Sequence, residues 1–122
     1  MILIVEDEQI NCFLLKSYLD KMQYKTAIAN NGLEAIEILE HNEVRFILLD
    51  LNMPLMNGYE LLTVLNNDER FKYKKYKIII ISTIELVNFR QEVKQKNINI
   101  DRVSGYIPKP VDFINLQKLL TK

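Results

Sequence analysis

The sequence predicts an α/β domain, a doubly wound parallel sheet with helices on both faces, and three observations carry that prediction. Short continuous apolar runs recur five times, longer amphipathic stretches separate them, and charged or hydroxyl residues stand directly after most of the runs. Continuous rather than alternating apolar runs suit parallel strands covered on both faces. Strand–helix alternation along one chain then builds a parallel sheet flanked by helices, and right-handed crossovers leave few topologies. With 122 residues the chain has room for one domain that buries roughly two-thirds of its extended surface.

The first run is Ile2 to Val5. The helix after it carries Ile10, Phe13, Leu14 and Tyr18 at helical spacing, the expected buried stripe, with Cys12 expected in the core. The second run is Thr26 to Ala29, followed by a helix marked by Ala35, Ile36 and Leu39. Asn31, three residues before Glu34, is a variant capping box for that helix. The third run is Phe46 to Leu49 and its helix carries Leu61, Leu62 and Leu65. The fourth is Ile78 to Ile81, with a helix marked by Leu86, Phe89 and Val93 and with Ser82 or Thr83 as its cap. The fifth run, Tyr106-Ile107, is weak. It leads to a helix with Phe113, Leu116 and Leu120, capped by Asp112. Two joints are long, Asn66 to Tyr76 and Lys96 to Val103.

Composition narrows the function. A hydrophobic share of 48% and a charged share of 26% exclude an intrinsically disordered chain. Sixteen basic and sixteen acidic residues give a net charge of +0, which argues against nucleic acid or an anionic membrane as a general partner. The single cysteine excludes an internal disulfide and a cysteine-rich zinc cage, and fits a cytoplasmic location. The apolar runs are too short to span a bilayer, and Met1 leads straight into the first strand rather than into a secretory signal. The stretch Arg70 to Lys77 interleaves bases and aromatics, a pattern that can stack on nucleic acid. At zero net charge it is expected to be a solvated loop whose aromatics pack on the sheet. Met53 and Met56 are expected to be packing residues.

In doubly wound sheets, ligands sit beyond the carboxyl ends of the strands. Glu6 and Asp7 follow the first run, Asp50 the third, Ser82 and Thr83 the fourth, and Pro108-Lys109-Pro110 the fifth. Three carboxylates in one crevice repel, and the protonated form of at least one is favoured unless a cation intervenes. Oxygen-only ligands with room for water suit Mg²⁺. Glu6 and Asp7 also fit a simpler role as acids favoured by the dipole of the following helix. Lys109, between two prolines, is either a surface lysine in a rigid turn or a fixed ammonium aimed at the acids or at an anion held there. Ser82 is a hydroxyl donor to the same anion.

Over essentially its whole length the sequence resembles the receiver domain of two-component response regulators. The resemblance rests on Val5-Glu6-Asp7-Glu8, on Asp50-Leu51-Asn52-Met53-Pro54 with Met56-Asn57-Gly58, on Ser82, and on Gly105-Tyr106-Ile107-Pro108-Lys109-Pro110. It implies a flavodoxin-like (βα)5 receiver fold with strand order 2-1-3-4-5, residues 1–122 forming a single response-regulatory domain. Asp50 matches the phosphoacceptor, and Glu6 and Asp7 the acid pair that holds Mg²⁺ together with Asp50 and the backbone carbonyl of Asn52. Ser82 and Lys109 match the residues that bind the phosphoryl group, and Tyr106 the aromatic whose rotamer follows activation. The implied function is phosphorelay signalling. A sensor histidine kinase or histidine phosphotransfer protein is the donor, and the domain promotes its own phosphorylation and dephosphorylation. A protein surface on the fourth helix, fifth strand and fifth helix, around Phe89, Tyr106 and Leu116, would switch, and it allows a homodimer. The only histidine, His41, falls at the end of the second helix, so the phosphodonor is external.

Asn11, Asn31-Gly32-Leu33-Glu34-Ala35 and Met53-Pro54 have the flavour of receivers attached to hybrid sensor kinases. The chain departs from the common receiver pattern at Thr83, where a small residue is usual, at Ile84, at Val111, where an aromatic is common, and in the joint Lys96 to Val103. The competing reading is a degenerate receiver that binds a partner without phosphorylation, but no acid, lysine or hydroxyl of the set is missing. A haloacid-dehalogenase-like phosphatase needs a second acid two residues after its nucleophile, where Asn52 stands, and a nucleophile on the first strand.

Overall fold

The computed structural model describes residues 1–122, and strand and helix alternate throughout: β1 (Ile2–Val5), α1 (Gln9–Lys21), β2 (Thr26–Ala29), α2 (Gly32–His41), β3 (Phe46–Leu49), α3 (Gly58–Asn67), β4 (Lys77–Ser82), α4 (Leu86–Gln95), β5 (Val103–Pro108) and α5 (Phe113–Leu120). The five strands are all parallel, in the order β2-β1-β3-β4-β5. The expected doubly wound fold and strand order are therefore the observed ones.

Successive strand residues face opposite sides of the sheet, and this splits the apolar runs between two cores. Leu3, Val5, Ile47, Leu49, Ile78 and Ile80 pack under α2, α3 and α4. Ile2, Ile4, Phe46, Leu48, Ile79 and Ile81 pack under α1 and α5. Continuous runs in the sequence are the direct consequence, because neither face of the central strands meets water.

Several local expectations change. On α1 the buried residues are Cys12, Leu15 and Leu19. Ile10, Phe13 and Leu14, expected inside, are 73%, 69% and 48% exposed. The helix carries two apolar stripes, and the one in register with Leu19 packs on the sheet. Tyr18 lies at the border, its ring 4.6 Å from that of Phe113. β4 and β5 are longer than their apolar runs, with pairing that extends from Ile78 against Val103 to Ser82 against Pro108. Ser82 thus ends the strand, and neither it nor Thr83 caps α4, whose N-cap is Glu85 without a side-chain bond. Asn31 and Asp112 do cap α2 and α5. α3 starts with a full capping box, Asn57 with Glu60, that the sequence reading passed over. Leu116 is buried on the α1–α5 side of the sheet, whereas Phe89 and Tyr106 belong to the opposite side. The three residues do not form one surface.

The long joint after α3 is held by a residue the sequence did not single out. The Arg102 guanidinium donates to the carbonyls of Leu65, Phe71 and Lys74 at 2.7, 3.0 and 2.8 Å. It also reaches Asn66 Oδ1 and lies over the Tyr76 ring. Phe71 and Tyr76 are buried against the α2–α4 core as expected, while Tyr73 stays exposed. Hydrogen bonds to charged groups contribute about 1.5–3 kcal/mol each where a buried partner is left bare. Arg102→Ala is therefore expected to lower the unfolding free energy by about 2–3 kcal/mol. A urea midpoint that barely moves would show that the joint holds itself.

Candidate active site

The carboxyl ends of β1, β3, β4 and β5 meet at one edge of the sheet. Backbone pairing continues past each strand and fixes the site residues there. The Glu6 amide donates to Ala29 O at 2.9 Å, the Asp50 amide to Val5 O at 3.0 Å, and the Lys109 amide to Ser82 O at 2.9 Å. Gly58 opens α3 directly beneath Asp50. A Cβ there would lie 2.7 Å from the Asp50 carbonyl oxygen, so only glycine lets the helix start so close.

Glu6 and Asp50 are buried, 2% and 5% exposed, while Asp7 is open to solvent. Carboxylate oxygens of Glu6, Asp7 and Asp50 lie within 4.8 Å of one another. The Lys109 ammonium donates to Glu6 Oε1 at 2.6 Å and sits 3.5 Å from Asp50 Oδ2. The Asn52 amide approaches Asp50 Oδ1 at 3.4 Å. Ser82 Oγ is buried and accepts from the Ile84 amide at 3.0 Å. The Tyr106 hydroxyl donates to the carbonyl of that same Ile84. Thr83 is exposed and Ile84 is half-buried.

One ammonium faces two buried carboxylates, and the charge is shared unequally. Burial, then the neighbouring Glu6 charge, push the Asp50 carboxyl up to about 6, against the pull of Lys109 and the Asn52 amide. Burial also opposes ionisation of Glu6, but the Lys109 hydrogen bond and the Glu8 amide outweigh it and hold Glu6 below the usual carboxylate range. Burial works against the Lys109 ammonium, yet bonding to Glu6 and the Asp50 charge raise its pKa overall. Glu6 is thus the lysine's partner, and Asp50 is the acid left short of positive charge.

Three hard oxygen donors, one of them solvent-facing, form a donor set that fits Mg²⁺ and no thiolate-preferring metal. Glu6, Asp7 and Asp50 are the side chains placed to hold it. Two supports were missed in the sequence. Asn30 Nδ2 and the Cys12 thiol both donate to the Glu6 carbonyl oxygen, at 3.1 and 3.2 Å. No spacing or composition signal ties either residue to the first strand.

A parallel sheet in this strand order, with acids, a hydroxyl and a lysine at its carboxyl edge, defines a class of protein, and comparison with known proteins specifies it. The response regulator receiver domain family matches residues 2–121, and the chain belongs to that family. The polar-differentiation response regulator DivK of Brucella anthropi is 26% identical over 110 residues, covering 90% of this chain and 84% of DivK. The sensor histidine kinase RcsC of Escherichia coli K12 is 43% identical over 61 residues, which is 50% of this chain but only 6% of that kinase. Among solved structures, the receiver domain of sensor histidine kinase PA1611 from Pseudomonas aeruginosa PAO1 has a magnesium ion coordinated in its active site cleft. It is 25% identical at a TM-score of 0.81, covering 98% of this chain and 93% of that one. The receiver domain of Ssk1 from Saccharomyces cerevisiae, solved with the histidine phosphotransfer protein Ypd1, is 26% identical at a TM-score of 0.81, covering 98% and 85%.

Proposed function

We propose that this receiver accepts a phosphoryl group on Asp50 in a Mg²⁺-dependent reaction, from the phosphohistidine of a kinase or phosphotransfer protein, and that the modification switches a protein-binding surface. The observation that carries the reading is Asp50 itself: a buried carboxylate at a strand end, short of positive charge, with two further acids and one fixed ammonium in reach.

The chemistry is a displacement at phosphorus. Asp50 Oδ forms the new O–P bond while the donor's P–N bond breaks, and the imidazole leaves with the electron pair of that bond. Such transfers need positioning and charge neutralisation more than proton transfer. A bound divalent cation supplies charge neutralisation among the carboxylates. Lys109, poised between Glu6 and Asp50, turns its ammonium to the phosphoryl oxygens. Ser82 offers a hydroxyl on the other side. Residues at the mouth then set how readily a donor or a water approaches. Thr83→Ala is expected to speed labelling by acetyl phosphate; an unchanged rate would show that Thr83 does not crowd the site.

The partner reading is supported by α1. Ile10, Phe13 and Leu14 form an exposed apolar stripe beside the acid pair, the kind of patch that marks a protein-binding surface. A phosphohistidine protein docked there would bring its imidazole over Asp50, and the Ssk1 receiver's complex with Ypd1 supports a partner of that type. A homodimer is proposed on the other side of the molecule, where an apolar groove of about 360 Å³ lies between α4 and β5, lined by Leu86, Phe89, Val103 and Tyr106.

Mg²⁺ dependence provides the test. Acetyl phosphate labelling, followed by mass spectrometry, is expected to add one phosphoryl group with Mg²⁺ and none in excess chelator. Asp7→Ala, at an exposed ligand position where the fold has little at stake, is expected to abolish Mg²⁺ binding and labelling together. Labelling that persists in chelator would overturn the metal reading. A chain that folds, binds Mg²⁺ and is never labelled would instead be a receiver working by binding alone.

A further inference from the structure

The opposite edge of the sheet carries the complementary problem. At the amino ends of β3 and β4, a groove of about 390 Å³ lies between the segment after α2 and the joint before β4. Arg45, Lys74, Lys75 and Lys77 line it, against the single carboxylate of Glu43. All four cations are exposed; Arg45, Lys74 and Lys75 make no ion pair, and Lys77 donates to the main-chain oxygen of Lys122 at 3.2 Å. Two of them share one aromatic ring. The Arg45 guanidinium and the Lys77 ammonium each lie 5.9 Å from the centroid of the same Phe46 ring. Like charges gathered in one groove repel, and a bound anion removes that conflict, as a cation does for the acids at the other edge. The chain as a whole has no net charge, so this clustering is not the by-product of a basic protein.

We infer that this groove binds a di- or triphosphate group, free or carried on a nucleoside. The volume is within the range of small-ligand sites. Four cations match the three to four negative charges of such a group, and more than one phosphate is needed to reach Arg45 on one wall and Lys74, Lys75 and Lys77 on the other. A lone phosphate would leave two of the four unanswered. β3 separates the groove from Asp50 by about 13 Å at the rise of a parallel strand. The two sites therefore do not compete for one ligand, and the acidic edge repels polyphosphate.

Titration of the full chain followed by NMR, with tripolyphosphate and with ATP in the absence of divalent cations, tests the assignment. Saturating shifts are expected at residues 42–46 and 74–77, with those at 6–8 and 50–52 unmoved. Affinity is expected to be sub-millimolar at low salt and several-fold weaker when the salt is raised to about 0.2 M. Equal affinity for the two probes would mean that the phosphate chain alone is read, and tighter ATP binding that the nucleoside adds contacts. Arg45→Ala combined with Lys75→Ala is expected to weaken both about tenfold. Lys74→Gln with Lys75→Gln, confined to the loop, carries the same expectation without touching β3. Shifts that do not saturate, that sulfate reproduces at equal ionic strength, or that survive both double variants would overturn the proposal. So would tighter binding of a short single-stranded RNA with shifts centred on Tyr73, which would make the basic stretch a nucleic-acid surface.

Discussion

Asp50→Asn is expected to take up no phosphoryl group and, in chelator at pH 7.5, to be more stable than the natural chain by about 3 kcal/mol. The first half follows from the loss of the proposed phosphoacceptor. The second follows from the carboxyl's position. Its pKa rises from an ordinary 3.8 to about 6 in the folded protein, so folding binds its proton more tightly and disfavours its charge. Roughly two units of difference correspond to about 3 kcal/mol. A raised carboxyl destabilises the fold where the group is ionised, and the penalty disappears where both states are protonated. The natural chain should therefore lose stability as pH rises from about 4 to about 6 and stay at the lower level above that, relative to the asparagine variant. The two should converge below pH 4. Mg²⁺ should reverse the order at neutral pH, because a ligand that binds only the folded form stabilises it and the natural carboxylate is a far better ligand than the amide. Urea denaturation of both proteins at three pH values, with and without Mg²⁺, measures all of this. Equal stability at pH 7.5 in chelator would mean that Lys109 already neutralises Asp50 as well as Glu6.

The same pair of residues shows how far the sequence could be read. That Glu6, Asp7, Asp50 and Lys109 would converge, with Ser82 at the same edge of the sheet, was legible, because each follows an apolar run and parallel strands put all such positions on one edge. Which acid the lysine prefers was not. The 2.6 Å contact with Glu6 and the longer one with Asp50 depend on the turn through Pro108 and Pro110, and no pattern encodes that aim. The α1 stripe was misread for a related reason. Ile10, Phe13 and Leu14 repeat with helical spacing as well as Cys12, Leu15 and Leu19 do, and periodicity alone cannot say which of two apolar stripes faces the sheet. Arg102 escaped notice because a surface arginine and one wrapped by three carbonyls look alike in a sequence. Its value lies in where the chain after α3 happens to leave its oxygens.

Ser82→Ala is expected to leave Asp50 phosphorylation measurable and to abolish its effect on Tyr106. Ile84 is the link. Its amide is bonded to Ser82 Oγ at 3.0 Å and its carbonyl to the Tyr106 hydroxyl, so a single residue in the β4–α4 connection joins the hydroxyl at the end of β4 to the aromatic on β5. A phosphoryl group adds charge and acceptor oxygens at Asp50. On the proposed reading Ser82 would turn its hydroxyl toward them, and the chain bonded to it would follow. The Ile84 carbonyl would then move off the Tyr106 hydroxyl, a bond worth about 1 kcal/mol. The half-buried ring, now 5.3 Å from Phe89 at a tilt of 47°, would be released to repack at the head of α4. A difference of that size is enough to shift a two-state population several-fold. With a beryllofluoride mimic and Mg²⁺, backbone NMR shifts are expected from Ser82 through Val111, with α2 largely still. In Ser82→Ala the mimic should bind and move only the loop at Asp50. Tyr106→Phe provides the complementary measurement: lacking the hydroxyl, its ring should already sample the second position without the mimic. If the mimic binds the natural chain and nothing past Ile84 moves, the domain passes phosphoryl groups along a relay and does not switch shape. Ser82 would then serve the transfer step alone.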